Sequence, residues 1–372
     1  MLEALLRILT LTRKELLAVM KDRRARLSLL IPPVVQAFIF GYAASYDLTR
    51  VPYALLDRDH SAASHALIAR LDGSRVFERV ADLQREGDIA RYIDSRQALL
   101  VLQIEPDFER HLESSRPATL QLIADGRNSN TAGTAMAYVG AIVQRYNVDW
   151  RHDHGLPAAA VQLVERAWFN PNLETRWYMI PGMIGTLTLI QTMMLTAMAV
   201  AREREQGTFD QLLVTPFRPH EIMIGKALPS MIVGTIQATG VLLVAQLWFR
   251  IPFAGSYLTL YAGLAMFLLA AVGIGLLLSS VAATMQQALL YSMLFIMPFS
   301  LLSGFTTPIS SMPLYLQYFT QLNPLRYAID ITRRVYLEGA GIGLLTGDLW
   351  PLALIALVTL SASSWLFRHA LQ

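Results

Sequence analysis

The stretch WYMIPGMIGTLTLIQTMMLTAMAVAREREQGTFDQLLVTP, Trp177 to Pro216, decides the fold. No Asp, Glu, Lys or Arg occurs from Trp177 to Ala201, long enough for one helix across a hydrocarbon layer that needs about 20 apolar residues. The chain then turns abruptly polar. Gly207 can end this helix in a left-handed conformation, and Thr208 with Gln211 forms a capping box that starts another. Phe209, Leu212 and Leu213 share one side of that second helix, and Thr215 before Pro216 closes it after about two turns. A short capped helix at a turn between two spans suits pushing by a partner protein; an ordinary connecting loop that carries a cap has the same spacing.

Charge-free runs recur on both sides of this stretch. They cover Leu27 to Tyr46, Ala227 to Phe249, Ile251 to Leu325 and Leu349 to Phe367. The longest holds two spans when divided around Ser279 to Gln287, near Tyr257 to Leu278 and Ala288 to Phe305, which makes six in all. With 54% hydrophobic and 16% charged residues, the 372-residue chain reads as an α-helical polytopic membrane protein of six transmembrane helices.

Orientation follows from the basic flanks. Arg7, Arg13, Lys14, Lys21, Arg23, Arg24 and Arg26 precede the first span (27–46) and put the amino terminus in the cytoplasm; six spans return Arg368 there too. Arg202, Arg204, Arg218 and Lys226 fall on the same side. The first apolar run exceeds the core of a cleaved signal peptide and follows a long patterned arm, so it reads as a span. Within that arm, residues 1–26, Leu2, Leu5, Leu6, Leu9, Leu16, Leu17 and Met20 keep helical rhythm while Arg7, Lys14 and Lys21 take another face. This predicts an amphipathic helix on the lipid of the inner leaflet, or one packed on its own protein. No basic stripe with interleaved aromatics points to nucleic acid.

Between the first two spans, residues 47–176 lie outside. From Val51 onward the pattern changes to short apolar runs and amphipathic helices, an inserted α/β domain of about 125 residues. Strands are expected at Val51 to Leu56, Arg75 to Val80, Ala98 to Ile104 and Thr119 to Ala124. Helices are expected at Ala62 to Leu71, Leu83 to Ser95, Pro106 to Ser114, Thr131 to Asp149 and Pro157 to Ala167. Asp57, Asp59 and His60, like His152, Asp153 and His154, have metal-ligating side chains, but neither group brings a full ligand set, and both read as turns and caps. With no cysteine, thiolate sites and disulfides are excluded.

Residues 177–372 hold the other five spans, with a cytoplasmic turn at 202–222 and an external segment at 306–348. The spans carry no charge that would suit proton or sodium coupling. Their polar residues are Gln191 and Thr192 in the second span and Gln237 and Gln246 in the third, suited to helix-to-helix hydrogen bonds or to a translocation path. Gly225-Lys226 has His220 where a phosphate-cradling loop needs glycine, and no GxSxG or HExxH motif occurs, so no enzyme chemistry is expected. A partner must supply any work.

EREQGTFDQLLVTPFRPHEIMIGKALP, Glu203 to Pro229, resembles the cytoplasmic loop of ABC-2 type permeases, the membrane subunits of ABC exporters. LDRDHSAASHALIARLDGS with LIADGRNSNTAGTAMAYV resembles the inserted periplasmic domain of that family's bacterial multidrug-efflux branch. LLSGFTTPISSMPLYLQYFTQLNPLRYAIDITRRVYLEG resembles the external segment where the family closes its exit gate. The resemblance implies a bacterial inner-membrane protein with both termini cytoplasmic and the α/β domain periplasmic. It implies that Glu203, Arg204, Glu205, Gly207 and Thr208 form an ERExGT-like signature, with Phe209, Leu212 and Pro216 completing the element that couples to the ATPase. On this reading Glu203 and Glu205 offer carboxylates to a basic partner surface; local pairing with Arg202 and Arg204 is the alternative. The implied partners are an ABC ATPase subunit that binds ATP and magnesium, a second permease copy or paralogue, a periplasmic adaptor and an outer-membrane channel. The implied cargo is amphipathic, drug-like or lipid-like. A membrane receptor or assembly scaffold with an external ligand-binding domain is the rival reading of the same layout.

Overall fold

The computed structural model describes residues 2–21, 23–43, 48–114, 116–157, 168–171, 174–207 and 219–369. The chain divides into two compact units, Met1–Ala44 with Ala167–Gln372, and Ser45–Arg166.

The first unit opens with α1 (Leu2–Lys21) and α2 (Arg23–Ala43). Prolines 32 and 33 lie inside α2. Pro33 has no amide hydrogen, so the Leu29 carbonyl lacks its helical donor; Gln237 Nε2 donates to it at 2.7 Å.

The second unit is a mixed four-stranded sheet with four described helices: β1 (Val51–Asp57), α3 (Ala62–Asp72), β2 (Phe77–Asp82), α4 (Asp88–Asp94), β3 (Leu100–Ile104), α5 (Phe108–Glu113), β4 (Leu120–Ala124) and α6 (Ser129–Asp153).

 Of the five helices expected here, α3 to α6 are the four described, and 158–167 of the fifth lie outside the described residues. Strand order is β2-β1-β3-β4, with β1 parallel to β2 and β3, and β4 antiparallel to β3. The central strands are apolar on both faces, as a sheet covered on both sides requires. Tyr53, Leu55, Leu100 and Leu102 pack with Leu67 and Leu71 of α3 and Tyr146 of α6, while Ala54, Leu56 and Val101 pack with Leu83 and Ile89. Helix α4 starts later than the expected Leu83 because that residue's amide still donates to Leu55 O of β1 at 2.7 Å.

Of the two polar groups that tempt a metal reading, the first serves the backbone. Asp57 Oδ1 accepts from the amides of Asp59 and His60, and Asp59 accepts from those of Phe108 and Glu109 at the start of α5. His154 stacks on Trp150 with ring centroids 3.8 Å apart.

The chain then returns to the first unit with α7 (Thr175–Glu205), α8 (Pro219–Leu243), α9 (Tyr257–Val281), α10 (Met285–Leu301), α11 (Leu314–Phe319), α12 (Pro324–Arg333) and α13 (Thr346–His369). Among the described residues four helices are long and apolar enough to cross a membrane: Thr175–Glu205, Glu221–Trp248, Tyr257–Val281 and Ile342–Phe367. Two shorter apolar helices, Ile31–Tyr42 and Met285–Leu301, stand where the first and fifth spans are expected. The chain is a polytopic helical membrane protein.

Helix α9 is the centre of this unit. It packs on α7, α8, α12 and most extensively on α13. Glycines allow the approach: a methyl at Gly263 would meet Ile331 of α12, one at Gly273 Thr359 of α13, and one at Gly275 Thr196 of α7. Residues 306–345 form short helices and turns rather than one span, broken at Pro308, Pro313 and Pro324. Asn323 caps α12 by accepting from the Leu325 amide at 3.0 Å and donates to Phe299 O at 2.7 Å. Arg333 lies over the Tyr178 ring, 3.5 Å from its centroid, and donates to the carbonyls of Tyr178, Gly304 and Phe305, each at 3.3 Å.

Gln237→Leu leaves the Leu29 carbonyl unpaired and should destabilise the detergent-purified chain by about 1–3 kcal/mol, read as a lower melting temperature; an unchanged melt would remove Gln237 from this role. For Asp59, burial raises the carboxyl, but hydrogen bonds from Ser61 and from the amides of Glu109, Phe108 and Asp107 outweigh it and hold it below its ordinary value. A carboxyl lowered by folding stabilises fully above its unfolded pKa and loses that contribution as the pH falls through its folded one. Protection of the Phe108 and Glu109 amides from hydrogen exchange, taken relative to the intrinsic rate at each pH, should therefore fall at acid pH, and Asp59→Asn should abolish that step.

Candidate coupling site

The charged end of α7 is built around its last turn. Gln206 and Gly207 donate from their amides to Arg202 O and Arg204 O at 3.0 and 3.1 Å, and Gly207 has φ +66°, which glycine adopts without strain. The expected helix end at Gly207 is therefore present. Thr208, Phe209, Leu212 and Pro216, with the rest of 208–218, lie outside the described residues.

Three consecutive side chains of this turn reach different elements. The Glu203 carboxylate is 2.8 Å from Lys226 Nζ of α8, and both side chains are buried, 10% and 1% exposed. Lys226 also donates to Ala199 O at 3.0 Å and stands 3.5 Å from Glu15 of α1. Arg204 Nη1 donates to Ser280 O at 2.9 Å and to Ala282 O at 3.3 Å, at the carboxyl end of α9. Glu205 Oε2 accepts from the Met285 amide at 2.8 Å, at the amino end of α10. A cation at a helix carboxyl end and an anion at an amino end both complement the helix dipole. Arg204 and Glu205 thus grip the 282–285 turn from its two sides.

Around them the contacts are equally specific. Ser279 Oγ accepts from the amides of Val200 and Ala201 at 3.1 and 3.2 Å. Thr284 Oγ1 accepts from the Gln287 amide at 3.2 Å and Gln287 Oε1 from the Ala283 amide at 3.0 Å, which starts α10. At the start of α8, Glu221 accepts two bonds from Arg7 of α1, at 2.9 and 3.1 Å. Leu11 of α1 is buried against α8, where a methyl on Gly225 would come 2.5 Å from its Cδ2.

The reading of Glu203 and Glu205 as carboxylates held out to a partner meets a different arrangement: both are engaged inside the chain, Glu203 by Lys226 and Glu205 by Met285. The charge-free middle of the spans offers no hint of this, because the partners sit at helix ends that the sequence counts as flanks. The sequence alone does not tie Lys226, Ser279, Thr284 and Glu15 to the site; the T-x-x-Q spacing of Thr284 and Gln287 is a local signal of the cap.

The four polar residues considered for a path are not gathered in one place by any contact among them. Thr192 is buried facing Gly234 of α8, Gln237 serves Leu29, and Gln246 exchanges bonds with the Tyr257 hydroxyl at 3.1 and 3.2 Å. Gln191 is half-buried on α7, in a strip with Ile190, Met194, Leu195 and Met198.

Comparison with known proteins agrees over nearly the whole chain. The profile of the ABC-2 family transporter proteins matches residues 26–365. The probable multidrug ABC transporter permease YbhR of Escherichia coli (strain K12) is 41% identical over 363 residues, 98% of each chain. The inner membrane transport permease YhhJ of the same strain is 27% identical over 354 residues, 92% of this chain and 91% of that one. The linearmycin resistance permease protein LnrN of Bacillus subtilis (strain 168) is 23% identical over 383 residues, 96% and 98% of the two chains.

Breaking a buried ion pair by removing one partner costs about 3–5 kcal/mol. Lys226→Met should lower stability by that order, and adding Glu203→Met should recover most of it; melting temperatures of the three purified proteins decide, and a double variant no better than the single one would refute the pairing.

Proposed function

The chain belongs to the ABC-2 family of transporter proteins, and from that premise we propose that it is the membrane-spanning permease subunit of an ABC exporter. A separate ATPase subunit docks at the cytoplasmic turn 202–222, and a second permease copy or a paralogue completes the path. On this reading the two shorter apolar helices, Ile31–Tyr42 and Met285–Leu301, cross the membrane with the four long ones, six spans in all; their apolar composition supports it. Both termini are cytoplasmic, and the α/β unit is periplasmic in a bacterial inner membrane, where an adaptor and an outer-membrane channel extend the route.

The observation that carries this reading is the grip of Arg204 and Glu205 on the turn between α9 and α10. The ATPase moves segment 208–218, Gly207 passes that movement into the last turn of α7, and Glu205 passes it to the first amide of α10. Lys226 and Arg7 carry the same displacement to α8 and α1. ATP-driven closure then favours a second arrangement of the helices only because these contacts differ between the two states.

The cargo is amphipathic, drug-like or lipid-like. Leu290, Met293, Leu294 and Met297 stand exposed on α10, which packs on α7, and Gln191, Met194 and Met198 are partly exposed on α7. Flexible methionine surfaces adapt to varied apolar shapes. The names of the relatives, a multidrug permease and a linearmycin resistance permease, support this class of cargo.

The test uses vesicles holding the chain with the ATPase that co-purifies with it. Glu205→Lys places a cation at the amino end of α10, and Gly207→Pro removes both the positive φ and the amide that bonds Arg204 O. Both should insert normally and keep ATP hydrolysis while losing ATP-dependent transport, and Glu205→Gln, which keeps the acceptor, should transport. Natural transport rates in the first two, or the lack of any stoichiometric ATPase, would overturn the reading.

A further inference from the structure

Helix α1 is held to its unit by one face. Leu11 and Thr12 are buried, and Arg7 and Glu15 turn to Glu221 and Lys226. Thr10, Arg13, Lys14, Leu17 and Lys21 are exposed. They fall at i, i+3, i+4, i+7 and i+11, so they share one side of the helix, and they line an open groove of about 470 Å³. Among the described residues no carboxylate pairs with Arg13, Lys14 or Lys21, whereas Arg7 on the inner side is held twice by Glu221.

The adjoining edge of the same helix is apolar. Leu5, Leu9 and Met20 are 54%, 51% and 56% exposed. Three uncompensated cations beside a row of exposed apolar side chains match a ligand that is anionic at one end and apolar at the other. A free anion would use only the cations, and an acidic protein surface would leave the leucines in water.

We propose that this groove binds the phosphate-bearing headgroup of an anionic phospholipid of the inner leaflet, with Leu5, Leu9 and Met20 in its acyl boundary. The proposal rests on the membrane orientation proposed above, not on the identity of the ATPase or the cargo. A basic side chain near an anionic surface is worth roughly a factor of five in affinity, so three are worth about a hundredfold.

The experiment takes the full chain in neutral detergent and titrates it with phosphatidylglycerol, with phosphatidylcholine and with inorganic phosphate, reading retained lipid by native mass spectrometry. The natural chain should retain phosphatidylglycerol selectively and inorganic phosphate should not displace it. Replacing Arg13→Gln, Lys14→Gln and Lys21→Gln together should weaken retention about a hundredfold, while Arg13→Lys, Lys14→Arg and Lys21→Arg together should keep it. Equal retention of the two lipids, displacement by phosphate, or loss in the charge-keeping variant each overturns the proposal. So does unchanged lipid retention in the glutamine variant accompanied by loss of the co-purifying ATPase, which would make this a protein-docking face and leave the exporter reading standing. Selective retention in a chain that brings down no ATPase would sustain the lipid site and remove the exporter reading.

Discussion

A lysine ammonium whose side chain is 1% exposed must find anions, because taking an unpaired charge out of water costs several kcal/mol. Lys226 finds Glu203 on α7 and Glu15 on α1. These partners come from elements far apart in sequence, so one charge sets the register of three helices against each other. Arg204 and Glu205 are the next residues after Glu203, and their reach to the carbonyls of Ser280 and Ala282 and to the amide of Met285 depends on that register.

Elsewhere in the helical unit, polar side chains serve the backbone. Gln237 supplies the donor that Pro33 denies to Leu29, Asn323 ties α12 to the end of α10, and Arg333 collects three carbonyls at the broken segment. In an apolar surrounding, irregular backbone persists only where such partners are at hand. Gln237 does this for Leu29, a helix-to-helix hydrogen bond of the kind its place in an apolar span suggests.

The spans and the strands were legible as runs of composition: a charge-free run for each long helix, and short apolar runs at β1 and β3, which are covered on both faces. The boundary between α9 and α10 was harder, since the run from Ile251 to Leu325 has no charge to mark it; the Thr284 cap marks it instead. The site was legible as a stretch but not as a geometry. Glu203 and Glu205 lie two residues apart, so on a helix they point about 200° apart and reach different neighbours. Which neighbours depends on packing among helices, and Lys226, a basic residue beside an apolar run, reads the same in sequence whether it faces water or a buried carboxylate.

The central helix α9 has its most extensive contact with α13, and Gly273 is small so that Thr359 can approach. During synthesis α13 leaves the ribosome well after α9. Until it arrives, the flank of α9 that it covers has no partner within the chain, and the unit cannot close stepwise from its amino end. Assembly quality is thereby checked late: a chain stopped before α13 presents an open flank on its core helix, which is the kind of surface that membrane proteases and insertion chaperones meet first.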